Sequence, residues 1–280
     1  MAQLKHAPRR VGRLGPNVVL VVALLFFVMP LLSMARFALQ NVQIFQLNWS
    51  NLFDKWSLDG ITKSFSDPRF GPTLTLSLKL ALGTVVLTQM LLIPTALLVH
   101  TKLPRARPAI EFVTLLPYMV PPIALVTGVI GFIRPNARWF IASNYSLIPF
   151  YVILALPFTY RAIDAGIRAI DVRTLIDASR SLGAGWGTTM FRALLPNMRT
   201  AIISSSFLTA TVVLGEFTMA QVLLKRTFPQ FTFEYARSEP RGGIGLALLT
   251  LVGTTMLLAI LTLLTRRRGR AVSSLQQARP

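Results

Sequence analysis

Six stretches of this chain are each long and apolar enough to cross a lipid bilayer, and this limits the fold more than any other feature. A helical crossing takes about 20 residues. With no water in the hydrocarbon region, every backbone N–H and C=O must be paired within the structure. The stretches lie near residues 17–37, 72–100, 108–133, 145–163, 198–224 and 243–265. The expected fold is therefore an all-α integral membrane protein with six transmembrane helices. Composition agrees: only 14% of the 280 residues are charged, against about 25% in soluble domains. Proline and glycine interrupt several stretches, as in "LLPYMVPPIALVTGVIGF". Membrane helices tolerate such breaks where neighbours re-satisfy the backbone.

The net charge of +19 acquires meaning once it is sorted by position. The N-terminal tail, "TKLPRARP", the 161–199 segment and the C-terminal tail together hold 18 Lys and Arg, whereas the alternate set of connections holds 10. Basic loops stay on the cytoplasmic side, so both termini are expected to be cytoplasmic, as an even number of crossings requires. Nucleic-acid binding would need these charges gathered on a soluble module, and the sequence holds none. The first stretch has the basic start and small residues (Ser33, Ala35) of a signal peptide. Its apolar run is longer than a signal core, so an uncleaved first helix is expected. The external connection that follows carries Phe45, Trp49, Phe53 and Trp56 at helical spacing. This suits an interfacial helix or a docking surface for an external partner. The connection "KRTFPQFTFEYARSEPRGG" is a second external candidate.

The cytoplasmic segment "DVRTLIDASRSLGAGWGTTMFRALLP" is too patterned for a plain connection. Val172, Leu175, Ile176, Ser179 and Leu182 repeat at i, i+3, i+4, i+7 and i+10, while Arg173, Asp177 and Arg180 share another face. This predicts a short amphipathic helix. Gly183 is placed to end it in the left-handed conformation, "WGTTMFRALL" begins a second helix, and Pro196 marks a break before the fifth crossing. Such a helix either lies on the inner membrane face or projects as a knob into a cytoplasmic partner.

At this point the sequence resembles a known family. "LIDASRSLGAGWGTTMFRALLPNMRTAI" is similar to the EAA loop of ABC-importer permeases, the binding-protein-dependent, MetI-like inner-membrane family. Asp177, Ala178 and Ser179 occupy its three leading positions, Gly183 follows at the required spacing, and Leu195–Pro196 closes it. Arg180, Leu182, Ala184 and Phe191 also match residues common in the family. Two positions depart: Asp177 stands for glutamate and Ser179 for alanine, each keeping size and charge type. The resemblance covers roughly residues 70–265.

The resemblance implies a permease core of five helices preceded by one extra helix. Residues 1–71 form an N-terminal region, 72–265 the permease domain with its coupling loop within 164–196, and 266–280 a basic tail. It implies that Leu175, Asp177, Ala178, Ser179, Arg180, Leu182, Gly183 and Pro196 belong to a loop that seats on a separate ATP-binding subunit. Further implied partners are a second permease, either similar or identical, a periplasmic or lipid-anchored solute-binding protein, and the lipid of a bacterial plasma membrane. Consistent with ATP hydrolysis on another chain, no Gly-Lys dipeptide and hence no Walker A loop occurs. No catalytic residue, metal site or cofactor is nominated.

Glu216, within "VVLGEFTMAQVLL", and Lys79, within "TLSLKLALG", are the charges that lie away from the ends of predicted crossings. A charge at a helix centre costs about 2.5–3.5 kcal/mol on insertion scales. Counting about 1.5 Å of rise per residue puts the two at similar depth, which suggests an ion pair or a shared polar cavity on the translocation path. The competing reading makes Glu216 a structural residue bonded to neighbouring hydroxyls or backbone. "GEF" resembles the subgroup importing polyamines, ferric iron and related small solutes, and "LLPYMVPPIALVTGV" resembles the polyamine-type permeases; together they imply putrescine or spermidine as a first choice of cargo, with phosphonate, sulfate, iron and sugar import left open. An ion-gradient transporter would favour several intramembrane carboxylates and inverted repeats; only Glu216 lies deep and no repeat is evident. An intramembrane enzyme would need a catalytic constellation, and the chain has no Cys and only His6 and His100.

Overall fold

The computed structural model describes residues 14–41, 55–133 and 137–277. Its elements, in chain order, are α1 (Leu14–Leu39), α2 (Asp59–Phe65), α3 (Phe70–Thr101), α4 (Arg107–Met119), α5 (Pro122–Ile133), α6 (Arg138–Ala142), α7 (Leu147–Arg168) and α8 (Val172–Ser181). They continue with α9 (Trp186–Asn197), α10 (Arg199–Gly215), α11 (Thr218–Val222), α12 (Phe228–Ser238) and α13 (Pro240–Gln277). Among the described residues there is no strand, only an isolated bridge between Gln40 and Trp56. Three helices are long and apolar enough to cross a membrane, Asn17–Leu39, Phe70–Thr101 and Asn144–Arg168. The number rises to five if each of two sharply bent pairs is one crossing. The predicted aromatic positions Phe45, Trp49 and Phe53 fall outside the described residues.

The chain divides into two compact units. One comprises residues 1–65 and 235–251, the other 66–234 and 252–280. In the first, α1 is apolar on all sides and exposed from Val18 to Leu32, as expected of a helix solvated by lipid. Only its last turns meet protein. Ala38 is buried, and a backbone bridge (Asn41 N–H to Lys55 O, 2.9 Å; Ser57 N–H to Leu39 O, 2.7 Å) ties the helix end to the approach to α2.

The second unit is built on α3, α7 and α10, which pack against one another. Two apolar clusters lie at its ends. One joins Leu80, Leu147, Phe150, Val213 and Met219; the other joins Leu92, Leu97, Ile163, Ile167, Leu194 and Met198. Between them runs a polar seam. Gln89 Nε2 donates to Ser205 Oγ (2.7 Å) and Ser206 Oγ (2.9 Å), and the Thr159 and Thr209 hydroxyls meet at 2.7 Å. Small hydroxyl residues let membrane helices approach closely and hydrogen-bond across the gap. Gly166 shows how close α7 and α10 come, since a Cβ there would lie 2.1 Å from that of Ala201.

Two predicted crossings are not single helices. The segment 108–133 bends by 91° between α4 and α5. Val120 precedes Pro121 and adopts an extended conformation, φ −90° and ψ 126°, because the proline ring disfavours the helical region for its predecessor. The segment 198–224 stops as a helix at Gly215. Glu216 is extended (φ −78°, ψ 123°), and the chain restarts as α11.

Candidate functional site: the α8 loop and the helix ends that hold it

The helix predicted within the loop forms as α8, and its ends are fixed by local chemistry. Asp171 caps the N-terminus: its Oδ1 accepts from Thr174 N–H (3.2 Å) and its Oδ2 from the Thr174 hydroxyl (2.7 Å). These bonds, the hydroxyl's first, hold the Asp171 carboxyl below the usual range. At the other end Gly183 has φ +75°. Its N–H reaches Arg180 O (2.8 Å), and Ala184 N–H reaches Ser179 O (3.0 Å). This pair of bonds is the Schellman motif, for which glycine is the favoured residue.

The two faces separate largely as the spacing predicts. Val172 and Ile176 are buried against Ile163, Ile167, Leu194 and Met198, and Leu175 is half-buried at the edge. Each fully buried aliphatic contributes about 1.5–3 kcal/mol, so α8 is fastened to the ends of α7 and α9. Arg173, Asp177, Ala178 and Arg180 are exposed. Ser179 is half-buried, and its hydroxyl donates to Leu175 O (2.8 Å). Leu182 departs from the expected buried face: it is 88% exposed. The helix unwinds into the cap at Leu182, so the i+10 register no longer applies. Phe191 and Trp186 are also open, at 71% and 50%. Exposed large apolar side chains of this kind mark a surface for a protein or for the membrane.

Pro196 lies inside α9, and the break comes at Met198, where α9 and α10 meet at 75°. The α9 helix widens into a π-helical turn over Thr189–Leu194. The ring of Pro196 presses on the carbonyl four residues back, and a wider turn there relieves the clash.

A carboxylate that no sequence motif marks organises the helix ends next to α8. Asp164 on α7 is buried, and three basic side chains converge on it. Arg107 from α4 binds it in a fork, Nε to Oδ1 at 2.9 Å and Nη2 to Oδ2 at 2.8 Å. His100 Nε2 from α3 lies 2.7 Å from Oδ1, and Arg168 Nη2 lies 2.8 Å from Oδ2. Forked arginine–carboxylate contacts are among the strongest hydrogen bonds available to side chains. The one sequence signal was the i, i+4 spacing of Asp164 and Arg168.

The predicted pair Lys79–Glu216 does not form. Lys79 is exposed on α3, whereas Glu216 is buried and accepts from backbone N–H groups, Met219 at 2.8 Å and Ala220 at 3.4 Å. The carboxylate thus satisfies the first turn of α11, where a negative charge and free N–H groups attract each other. Equal depth along two helices fixes height but not direction, and Lys79 points outward.

The fold is a bundle of apolar helices with an amphipathic helix held firmly at one end. The chain belongs to the family described as binding-protein-dependent transport system inner membrane component, whose pattern matches residues 92–270. It is 30% identical over 101 residues to the methionine import system permease protein MetP of Bacillus subtilis (strain 168), covering 36% of this chain and 45% of that protein. It is 25% identical over 248 residues to the molybdenum transport system permease protein ModB of Mycobacterium bovis and of Mycobacterium tuberculosis, covering 83% of this chain and 87% of ModB. Its fold resembles a chain of a bacterial ABC transporter involved in the import of the acidic polysaccharide alginate, with a TM-score of 0.68 and 12% identity over 93% of this chain and 99% of that one.

Proposed function

We propose that this chain is the permease subunit of an ATP-driven importer in a bacterial plasma membrane. It crosses six times, with both termini on the cytoplasmic side. A second permease completes the solute path, an external solute-binding protein delivers the cargo, and α8 seats on a separate ATPase. The observation that supports this best is the two-sided character of α8: Val172 and Ile176 fasten it to the bundle, while Asp177, Ala178 and Leu182 are open. A knob held this way passes displacement inward, because packed elements move as units.

For cargo, the reading stays with a small solute chosen by the external partner. Glu216, expected to guide a polyamine through the bundle, has its oxygens turned to backbone N–H groups, which removes one reason for preferring a polyamine. The coupling role is tested by Gly183→Pro and Asp177→Lys. Both are expected to keep the membrane level near normal while losing transport and co-purification of the ATPase. Unchanged transport in both variants would sink the reading.

A further inference from the structure

We infer that a cleft between α3 and the α8–α9 loop is a binding site for an anionic phospholipid, with the phosphate at its mouth and one acyl chain along α3. The cleft has a volume of about 520 Å³, within the size range of small-molecule sites. Its wall combines Pro94 and Leu98 of α3 with Met190 of α9, and its rim carries Lys102, Arg180 and Trp186. Lys102 and Arg180 are both exposed, and neither side chain has an ion pair or hydrogen bond among the described residues. The two threonines of the lining have spent their hydroxyls on their own helix, Thr95 to Leu91 O (2.6 Å) and Thr101 to Leu97 O (2.7 Å). The donors left for a ligand are two cations about one negative group and the N–H of Trp186, an indole of the kind that settles at the membrane–water boundary.

The apolar half of the ligand follows from what continues out of the cleft. Leu87, Met90, Leu91, Pro94 and Leu98 fall on one face of α3, at a helical period that ends on Lys102. Of these, Leu87, Met90, Leu91 and Leu98 are among the exposed large apolar side chains. Leu87 to Leu98 is eleven residues, about 16 Å of helix. That is close to the depth of one leaflet, half of a hydrocarbon core about 30 Å thick. A free phosphate would use the rim and leave this track bare; a lipid uses both. Basic pockets between membrane helices bind anionic headgroups for this reason. The site stands on this geometry and on the chain's being a membrane permease, not on the docking role of α8.

The test uses the full chain in nanodiscs of phosphatidylcholine with and without phosphatidylglycerol, reading retained lipid by native mass spectrometry and unfolding by heat. A cation near the membrane surface is worth about fivefold for an anionic lipid, so two give a preference of about 30-fold. Lys102→Gln should reduce the preference about fivefold and lower the thermal protection by phosphatidylglycerol. Arg105→Gln, an exposed cation of the same connection outside the cleft, should leave both unchanged. Equal losses in the two variants mean diffuse attraction and overturn the site. So does equal protection by inorganic phosphate in detergent, which would make the ligand a free anion. No preference for phosphatidylglycerol in the wild type overturns it outright.

Discussion

The Asp164 node invites a quantitative test. Asp164→Asn keeps the shape of the side chain but removes its charge and turns an amide NH2 toward Arg107 and Arg168, which offer only donors. Arg107 and Arg168 then face one another without the carboxylate that joined them. Removing one partner of a buried ion pair costs about 3–5 kcal/mol. The low end applies, because asparagine retains one acceptor and Arg168 is 55% exposed, so water can compensate it. A loss of about 3 kcal/mol lowers the melting temperature by about 6–12 °C for a chain of this size. Arg168→Ala should cost under about 1 kcal/mol, as exposed pairs do. Arg107→Gln should come close to Asp164→Asn, and the double variant should lose at least about 1 kcal/mol less than the sum of the two, since the residues share one network. The assay is thermal unfolding of purified protein in detergent, followed by the fluorescence of its four tryptophans. Additive losses, or an Asp164→Asn protein melting within about 1 °C of wild type, would show that the node carries no such energy.

Two further variants probe backbone geometry. Gly166→Ala should destabilise by about 1–3 kcal/mol through overpacking against Ala201, and Ala201→Gly in the same chain should restore the melting temperature; absence of rescue would place the damage elsewhere. Leu224 holds a left-handed conformation, φ 54°, at the end of α11 while its side chain is exposed. Leu224→Gly should therefore stabilise by about 1 kcal/mol, seen as a rise in melting temperature, and a fall would contradict the strain argument.

What the sequence made legible followed from local rules. Apolar length located the helices α1, α3 and α7, and the 3.6-residue period located α8 and its buried Val172 and Ile176. Glycine's freedom located the stop at Gly183. What it hid was set by tertiary context. "MVPP" was visible at 119–122, but a proline in a membrane helix signals a possible kink without saying how far the chain turns. The break at Glu216 has no proline at all: a short acidic side chain competes for the N–H groups of the next turn, which only the folded chain reveals. Asp164 finds Arg107 and His100 at 57 and 64 residues' distance, and no periodicity reports such a meeting.

The placement of the node beside α8 bears on how the loop can act. Ile163 and Ile167, which flank Asp164 on α7, belong to the apolar cluster that also holds Val172 and Ile176 of α8. Asp164 itself binds α3 through His100 and α4 through Arg107. A push on α8 therefore reaches the ends of α3, α4 and α7 through contacts that are close-packed or ionic, with little room to yield. The yielding points lie elsewhere, at the extended residues Val120 and Glu216. Changes in backbone angle concentrate at such element ends when packed blocks move. On the proposed coupling role, the α8 end moves as one block, and the helix breaks absorb the motion.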